Sequence, residues 1–315
     1  MKADRADELD PQTAALIAEL ESGVSPPSWT LSVETARALL DQLFIDEDPE
    51  PVGEVTDLAI HGPEAPIPVR IYTPEGEPPF PVLVYFHGGG WMRGSLDGYD
   101  GLCRLLAAEA ECVVVSVDYR LTPEHPFPAG FEDCYAVTEW ATGHAADLQG
   151  DPDRVAVVGD SGGGNLAAGV SLAARDRDGP DIAHQLLIYP AVNPPDVRWF
   201  DSYDENGTGY LLEMDSVEYY YDHYLDSAAH LGNAYLFPLQ ARDLSGLPSA
   251  TLLTAGFDPL ADEGVAYVER LESAGVPVDH LHYDAQIHAF VSLYEYLDGG
   301  RRAIDDLAES LGSAM

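Results

Sequence analysis

The 315-residue chain (34.0 kDa) is 46% apolar and 10% aromatic, enough for a large buried core and too much for a disordered or fibrous chain. Fifty-five acidic residues face fifteen basic ones, with Lys2 the sole lysine, for a formal charge of −40 and a pI near 4.1. That balance excludes nucleic acid as a partner, because binding its phosphates needs clustered Lys and Arg, and it disfavours an anionic membrane surface for the same reason.

Residues 1–12 carry Asp4, Asp7, Glu8 and Asp10 and no apolar block, unlike a secretory signal, so a cytoplasmic location is expected. No run reaches about 18 consecutive apolar residues, so no membrane span is expected. Residues 11–22 and 31–45 place Leu16 and Leu20, then Leu39, Leu40, Leu43 and Phe44, at helical spacing on either side of the breaker Ser25-Pro26-Pro27. From residue 54 onward, β-rich runs recur at 54–60, 67–72, 82–86, 112–117, 155–158, 185–189, 251–254 and 278–283. Helical segments at 100–110, 131–141, 164–175 and 261–274 lie between the later ones. Near-continuous apolar strands alternating with helices predict an α/β fold whose parallel sheet is covered on both faces. The first two strands are separated by six residues, too few for a crossover helix, and should pair antiparallel. The prediction is a mixed eight-stranded sheet flanked by helices. Residues 191–248, rich in Pro, Tyr and acids and including Tyr219-Tyr220-Tyr221 and Tyr224, interrupt the alternation. They read as an insertion that joins residues 1–50 in a helical cap, leaving 51–190 and 249–315 as the two parts of the core.

The carboxylates run from Asp4 to Glu309 rather than gathering in a tail. A dispersed acidic surface nearly devoid of lysine looks like adaptation to molar salt, where the Debye length shrinks to roughly 3 Å and self-repulsion is screened. Cys103, Cys112 and Cys134 are odd in number and contain no C-x-x-C pair, which suits neither a disulfide framework nor a zinc site.

Gly159-Asp160-Ser161-Gly162-Gly163 follows the run Val155–Val158 and opens a helix, the strand–turn–helix context that a G-x-S-x-G nucleophile elbow requires. The overlapping Gly162-Gly163-Gly164-Asn165-Leu166-Ala167 also fits a dinucleotide fingerprint. That reading needs an acidic residue at the end of the next strand, which instead ends in Tyr189-Pro190. His87-Gly88-Gly89-Gly90 follows the run Val82–Phe86, and its glycines let backbone N–H groups approach a substrate. With the N–H of Gly162, they would form an oxyanion hole. A serine nucleophile needs an acid and then a histidine downstream; Asp258 and His288 each sit just past a predicted strand. Asp262 and Glu263 rival Asp258, but they begin a helix and serve its first turn more simply. His280 and His282 fall within a strand and should not reach the serine. Trp29, Trp91, Trp199, Phe200 and the tyrosines at 219–224 could line a pocket or simply pack the cap.

Taken together, these residues resemble the hormone-sensitive-lipase-like esterases, the bacterial and archaeal branch of the α/β-hydrolase superfamily, over residues 54–300. The resemblance includes Tyr119-Arg120-Leu121-Thr122-Pro123-Glu124-His125-Pro126-Phe127-Pro128-Ala129, Asp258-Pro259-Leu260 and Asp262-Glu263-Gly264. It implies an α/β-hydrolase fold with a helical cap and a serine carboxylesterase for short-to-medium acyl chains, with Ser161 as nucleophile, His288 as base and acid, and Asp258 holding the imidazole. Gly89, Gly90 and Gly162 would supply the oxyanion donors, with Gly88 as a lesser contributor. His87 would brace the glycine loop; Asp160 would support the elbow through backbone hydrogen bonds or be a mere solvated turn residue. The chain departs from the family at Gly162, where alanine is usual, and at Ala285 and Ala289, where glycine is usual. No metal or cofactor is implied, a small-molecule ester is the implied partner, and a homodimer is open because family relatives often pair through a sheet edge. Two alternatives stand: an amidase or formamidase using the same triad, and a non-catalytic ligand-binding protein on this fold, like the plant gibberellin receptors.

Overall fold

The fold is given by a computed structural model describing residues 2–22, 26–194 and 199–315. Ser25 of the expected breaker and residues 195–198 of the expected insertion lie outside the described residues. Eight strands form one sheet: β1 (Glu54–Ile60), β2 (Ile67–Thr73), β3 (Phe80–Phe86), β4 (Val113–Val117), β5 (Gly150–Asp160), β6 (His184–Ile188), β7 (Ser249–Phe257) and β8 (Val278–Ile287). Their spatial order is β1-β2-β4-β3-β5-β6-β7-β8. β1 and β2 pair antiparallel, as their short connection requires, and β2 meets β4 antiparallel; the remaining neighbours are parallel.

The central strands are apolar throughout because both faces are covered. Val82, Val84 and Phe86 of β3 join Val155 and Val157 on one face, whereas Leu83 and Tyr85 join Ala156 and Val158 on the other. The first face is packed by helices that contribute Phe131, Leu166 and Leu271, from α4 (Ala129–Gly143), α5 (Gly162–Asp176) and α8 (Ala261–Ser273). The second is packed by α3 (Asp100–Glu109) and α9 (Asp298–Ala314), through Leu102, Leu106, Ile304, Leu307 and Leu311. The helix after β3 therefore lies on one face and the helix after β5 on the other. At such a switch point the connections diverge and leave a crevice at the carboxyl ends of the strands. His87 and Ser161 emerge there.

Above the crevice lie α1 (Pro11–Ser22), α2 (Val33–Phe44) and α7 (Met214–Tyr224), which line the cavities there, whereas α6 (Asp201–Glu205) packs on the start of α8, its Ser202 hydroxyl donating to the Pro259 carbonyl at 2.6 Å. Ser32 caps α2, accepting from the Thr35 N–H at 3.2 Å. Arg37 of α2 reaches down to the core: its Nε donates to the Met92 carbonyl (2.7 Å), one terminal nitrogen to the Thr122 carbonyl (3.0 Å), and both terminal nitrogens to Glu124. Residues 2–13, which lead into α1, run beside the end of β8. The N–H groups of Ala6 and Asp10 donate to the Asp284 and Ala285 carbonyls (both 3.0 Å), and Thr13 Oγ1 donates to Gln286 Oε1 (2.7 Å). Among the described residues no helix is long and apolar enough to cross a membrane.

Candidate active site

The turn from β5 into α5 is sharp enough to force Ser161 to φ 55° and ψ −117°, a region that side-chain-bearing residues avoid. Its flanking glycines are required by close approach: a Cβ at Gly163 would overlap the Phe86 carbonyl, and one at Gly159 the Gly163 backbone. The strained turn is pinned by the Ser161 N–H donating to the Ile188 carbonyl (2.8 Å) and by the Asn165 N–H donating to the Ser161 carbonyl (3.0 Å). Gly162 to Gly164 open α5, so their N–H groups have no partner within the helix and face the crevice with the positive end of its dipole.

Ser161 Oγ lies 2.8 Å from His288 Nε2, and His288 Nδ1 lies 2.7 Å from Asp258 Oδ2. His288 follows β8 by one residue and is almost wholly buried, with the Tyr189 ring 4.7 Å from its own. Asp258 follows β7 and is fully buried; its second oxygen accepts from the Leu260 N–H at 2.8 Å. Asn206 Nδ2 clamps this turn by donating to the carbonyls of Gly256 and Asp258 (3.0 Å each), a role without a motif to announce it. Ala289 adopts φ 65°, which explains why glycine is usual there in the resembling family.

On the opposite wall, Gly89 and Gly90 take φ values of 107° and 64°. Among the described residues their N–H groups meet no acceptor. A Cβ built on Gly162 would sit 3.4 Å from the Gly90 nitrogen and 3.3 Å from that of Trp91, so loop and helix start are face to face with no room to spare. Gly88 departs from the expectation. Its N–H donates to Asp160 Oδ1 at 2.8 Å, inside the protein, and is not free for an oxyanion. Asp160 also accepts from the Tyr85 hydroxyl (2.6 Å); burial raises its pKa, opposed by these donors. It thus ties the glycine loop to the elbow rather than acting as a solvated turn residue. His87 Nδ1 is 2.9 Å from the Gly88 carbonyl and its ring stacks on Tyr119, whose hydroxyl donates to the His87 carbonyl at 2.7 Å. Burial pushes its pKa down to about 4, so it braces the loop as a neutral ring.

The rival acids do more than serve a helix start. Asp262 accepts from the N–H groups of Ala3 (2.7 Å) and Ser202 (3.1 Å). Glu263, fully buried, accepts from the N–H groups of Val192 (2.6 Å) and Asn193 (3.2 Å) and from the Tyr203 hydroxyl. Both fasten the chain around 192–203 to α8, and neither bonds to His288. His280 and His282 bond Thr254 Oγ1 (2.8 Å each), away from Ser161.

A cavity of about 70 Å³ lies at Ser161, lined in part by Trp91, Tyr220 and Tyr221. A second, of about 320 Å³, lies outside it against Trp29 and the apolar stripe Leu39, Leu40, Leu43 and Phe44 of α2. Tyr224 packs instead, stacked on Trp91 at 4.4 Å, and Trp199 is exposed beside Asp204. Among the described residues no cluster of His, Cys, Asp and Glu could hold a metal ion.

Residues 83–292 match the family described as alpha/beta hydrolase fold. The chain is 39% identical to the carboxylic ester hydrolase LipN of Mycobacterium tuberculosis, over 93% of this chain and 84% of that protein. It is 38% identical to an arylesterase of Saccharolobus solfataricus, over 77% and 78%. Among solved structures it resembles an ester hydrolase from the metagenome of Lake Arreo complexed with a bipyridine phosphonate derivative (TM-score 0.93, 38% identity, covering 97% and 98% of the two chains). It also resembles the hyperthermophilic esterase of the archaeon Pyrobaculum calidifontis (TM-score 0.90, 37% identity, 97% and 98%).

Proposed function

Since this chain belongs to the α/β-hydrolase family, among its hormone-sensitive-lipase-like esterases, and is a carboxylic ester hydrolase, we propose that Ser161 is its nucleophile, His288 its base and acid, and Asp258 the residue that orients the imidazole. One observation carries the assignment: the unbroken chain of 2.8 and 2.7 Å contacts from Ser161 Oγ through His288 to Asp258. His288 Nε2 takes the hydroxyl proton as Ser161 Oγ attacks the ester carbonyl carbon. The resulting oxyanion sits among the N–H groups of Gly89, Gly90 and Gly162, donors worth about 3–4 kcal/mol each to the transition state. The proton passes from His288 to the departing alkoxide oxygen, alcohol leaves, and an acyl-Ser161 remains. Water, deprotonated by the same nitrogen, then releases the acid. Nucleophile, base and charge stabiliser all come from the chain, so the cycle calls for no cofactor.

Short-to-medium acyl chains are part of this proposal, supported by the small space at Ser161 under α2 and α7. So is a reducing, cytoplasmic setting, supported by three buried cysteines that are free. Replacing Ser161 with alanine is expected to lower kcat on a short ester by about 10⁴–10⁶-fold with an unchanged fold, as for other triad knockouts. Turnover retained in Ser161→Ala would assign the chemistry to a different nucleophile.

A further inference from the structure

Arg93 stands where the two cavities meet. Its backbone N–H donates to the Gly89 carbonyl at 3.1 Å, which fixes the root of the side chain beside the glycine loop. The guanidinium lies over the Tyr220 ring, 4.9 Å from its centroid, and the residue lines both the space at Ser161 and the larger one outside it. Among the described residues, eight other arginines are paired with carboxylates. Arg93, in a chain with forty surplus negative charges, has no such partner among the described residues, and its buried Nε–H meets no acceptor. Among the described residues, the other acids and histidines around these cavities are Asp160, bonded to Gly88 and Tyr85, His288, bonded to Ser161 and Asp258, and Glu213 on the outer cavity; the phenols there are Tyr99, Tyr220 and Tyr221. A buried N–H left unmade costs about 1–3 kcal/mol, so a native structure keeps one only for a reason.

We infer that Arg93 determines substrate specificity by holding a carboxylate carried on the ester, so that the enzyme's substrates are anionic esters. The inference rests on the serine esterase reading and goes further, naming the chemical class. A guanidinium matches a carboxylate with two parallel N–H donors, and stacking on an aromatic ring holds that fork in place. The negative surface repels such a substrate in dilute buffer. In about 1 M salt that field is screened beyond roughly 3 Å, while a partly buried pair is screened far less.

Two matched pairs of esters test it, followed by pH-stat titration in about 1 M KCl. Monoethyl glutarate against ethyl pentanoate places a carboxylate in place of a methyl on the acyl arm; 4-acetoxybutanoate against butyl acetate does so on the alcohol arm. Exchanging arginine for methionine keeps an unbranched stem on Tyr220 and removes the charge. In Arg93→Met the ratio of kcat/KM, carboxylated over neutral, is expected to fall by about 10–100-fold in one pair, which also identifies the arm, since hydrogen bonds to charged groups contribute on this scale. An unchanged ratio in both pairs overturns the inference and leaves Arg93 a packing residue. If Arg93→Met fails to fold by circular dichroism, Arg93→Gln is read by the same ratio and the same criterion. Failure of the wild-type chain on all four esters would instead sink the short-to-medium ester reading on which the inference rests.

Discussion

Ser161 pays about 1–3 kcal/mol for its left-handed backbone, and residues that never touch substrate hold it there. Asp160 is the nearest of these, since it binds the loop that carries Gly89 and Gly90 to the turn that carries Ser161. Asp160→Ala is expected to lower the unfolding free energy by about 2–4 kcal/mol, because the buried Gly88 N–H and Tyr85 hydroxyl lose their acceptor. It is also expected to reduce kcat on a short ester; denaturant melts and initial rates check the two effects separately. The elbow was legible in the sequence because its geometry tolerates little beyond glycine at 159 and 163. Which glycine N–H points at substrate was not: three consecutive glycines read alike, and a carboxylate distant in sequence decides the matter for Gly88. Arg93 was equally silent, since an arginine with a partner and one without look the same in a string of letters.

Among the elements, the strands could be read because burial on both sheet faces leaves almost no polar position in β3 or β4. β8 runs four residues past its expected end, through Asp284-Ala285-Gln286-Ile287, a polar stretch that residues 6–13 support from the side. Such support is tertiary and leaves no local period. Helix α9 carries a legible stripe at Ile304, Leu307 and Leu311, but the acids between them mask it and it was not predicted. The first turn of α8 shows propensity overruled by contact: Glu263 is drawn inward to hold residues 192 and 193, and burial raises its pKa to about 8. A carboxyl whose folded pKa exceeds its unfolded value near 4.5 binds more protons when folded. Its favourable contribution is therefore complete below about pH 4.5 and is lost as pH rises through about 8. Wild-type stability is expected to fall more steeply between these limits than that of Glu263→Gln, measured by urea melts across the range. Parallel profiles would remove Glu263 from the account.

At the scale of the whole molecule, fifteen cationic side chains cannot neutralise fifty-five anionic ones, and the paired arginines leave most carboxylates facing solvent. Mutual repulsion among them falls as the Debye length shrinks from about 10 Å at 0.1 M to roughly 3 Å at molar salt. The melting temperature is therefore expected to be higher in about 3 M than in about 0.1 M KCl, by circular dichroism; equal melts would overturn the reading of the acidic surface as salt adaptation. The charge itself says nothing of topology, and the crevice where β3 and β5 send their helices to opposite faces is set by apolar pattern alone.

One arginine links these scales. Because Arg37 grips the Met92 and Thr122 carbonyls from above, the roof of the pocket and the segment that follows the glycine loop are fastened as a single piece. An engineer who transplants a foreign helical pair in place of residues 26–45, hoping to broaden substrate range, would therefore also unmoor the backbone beneath it. Such chimeras should trade away turnover along with selectivity unless the donor brings an equivalent guanidinium.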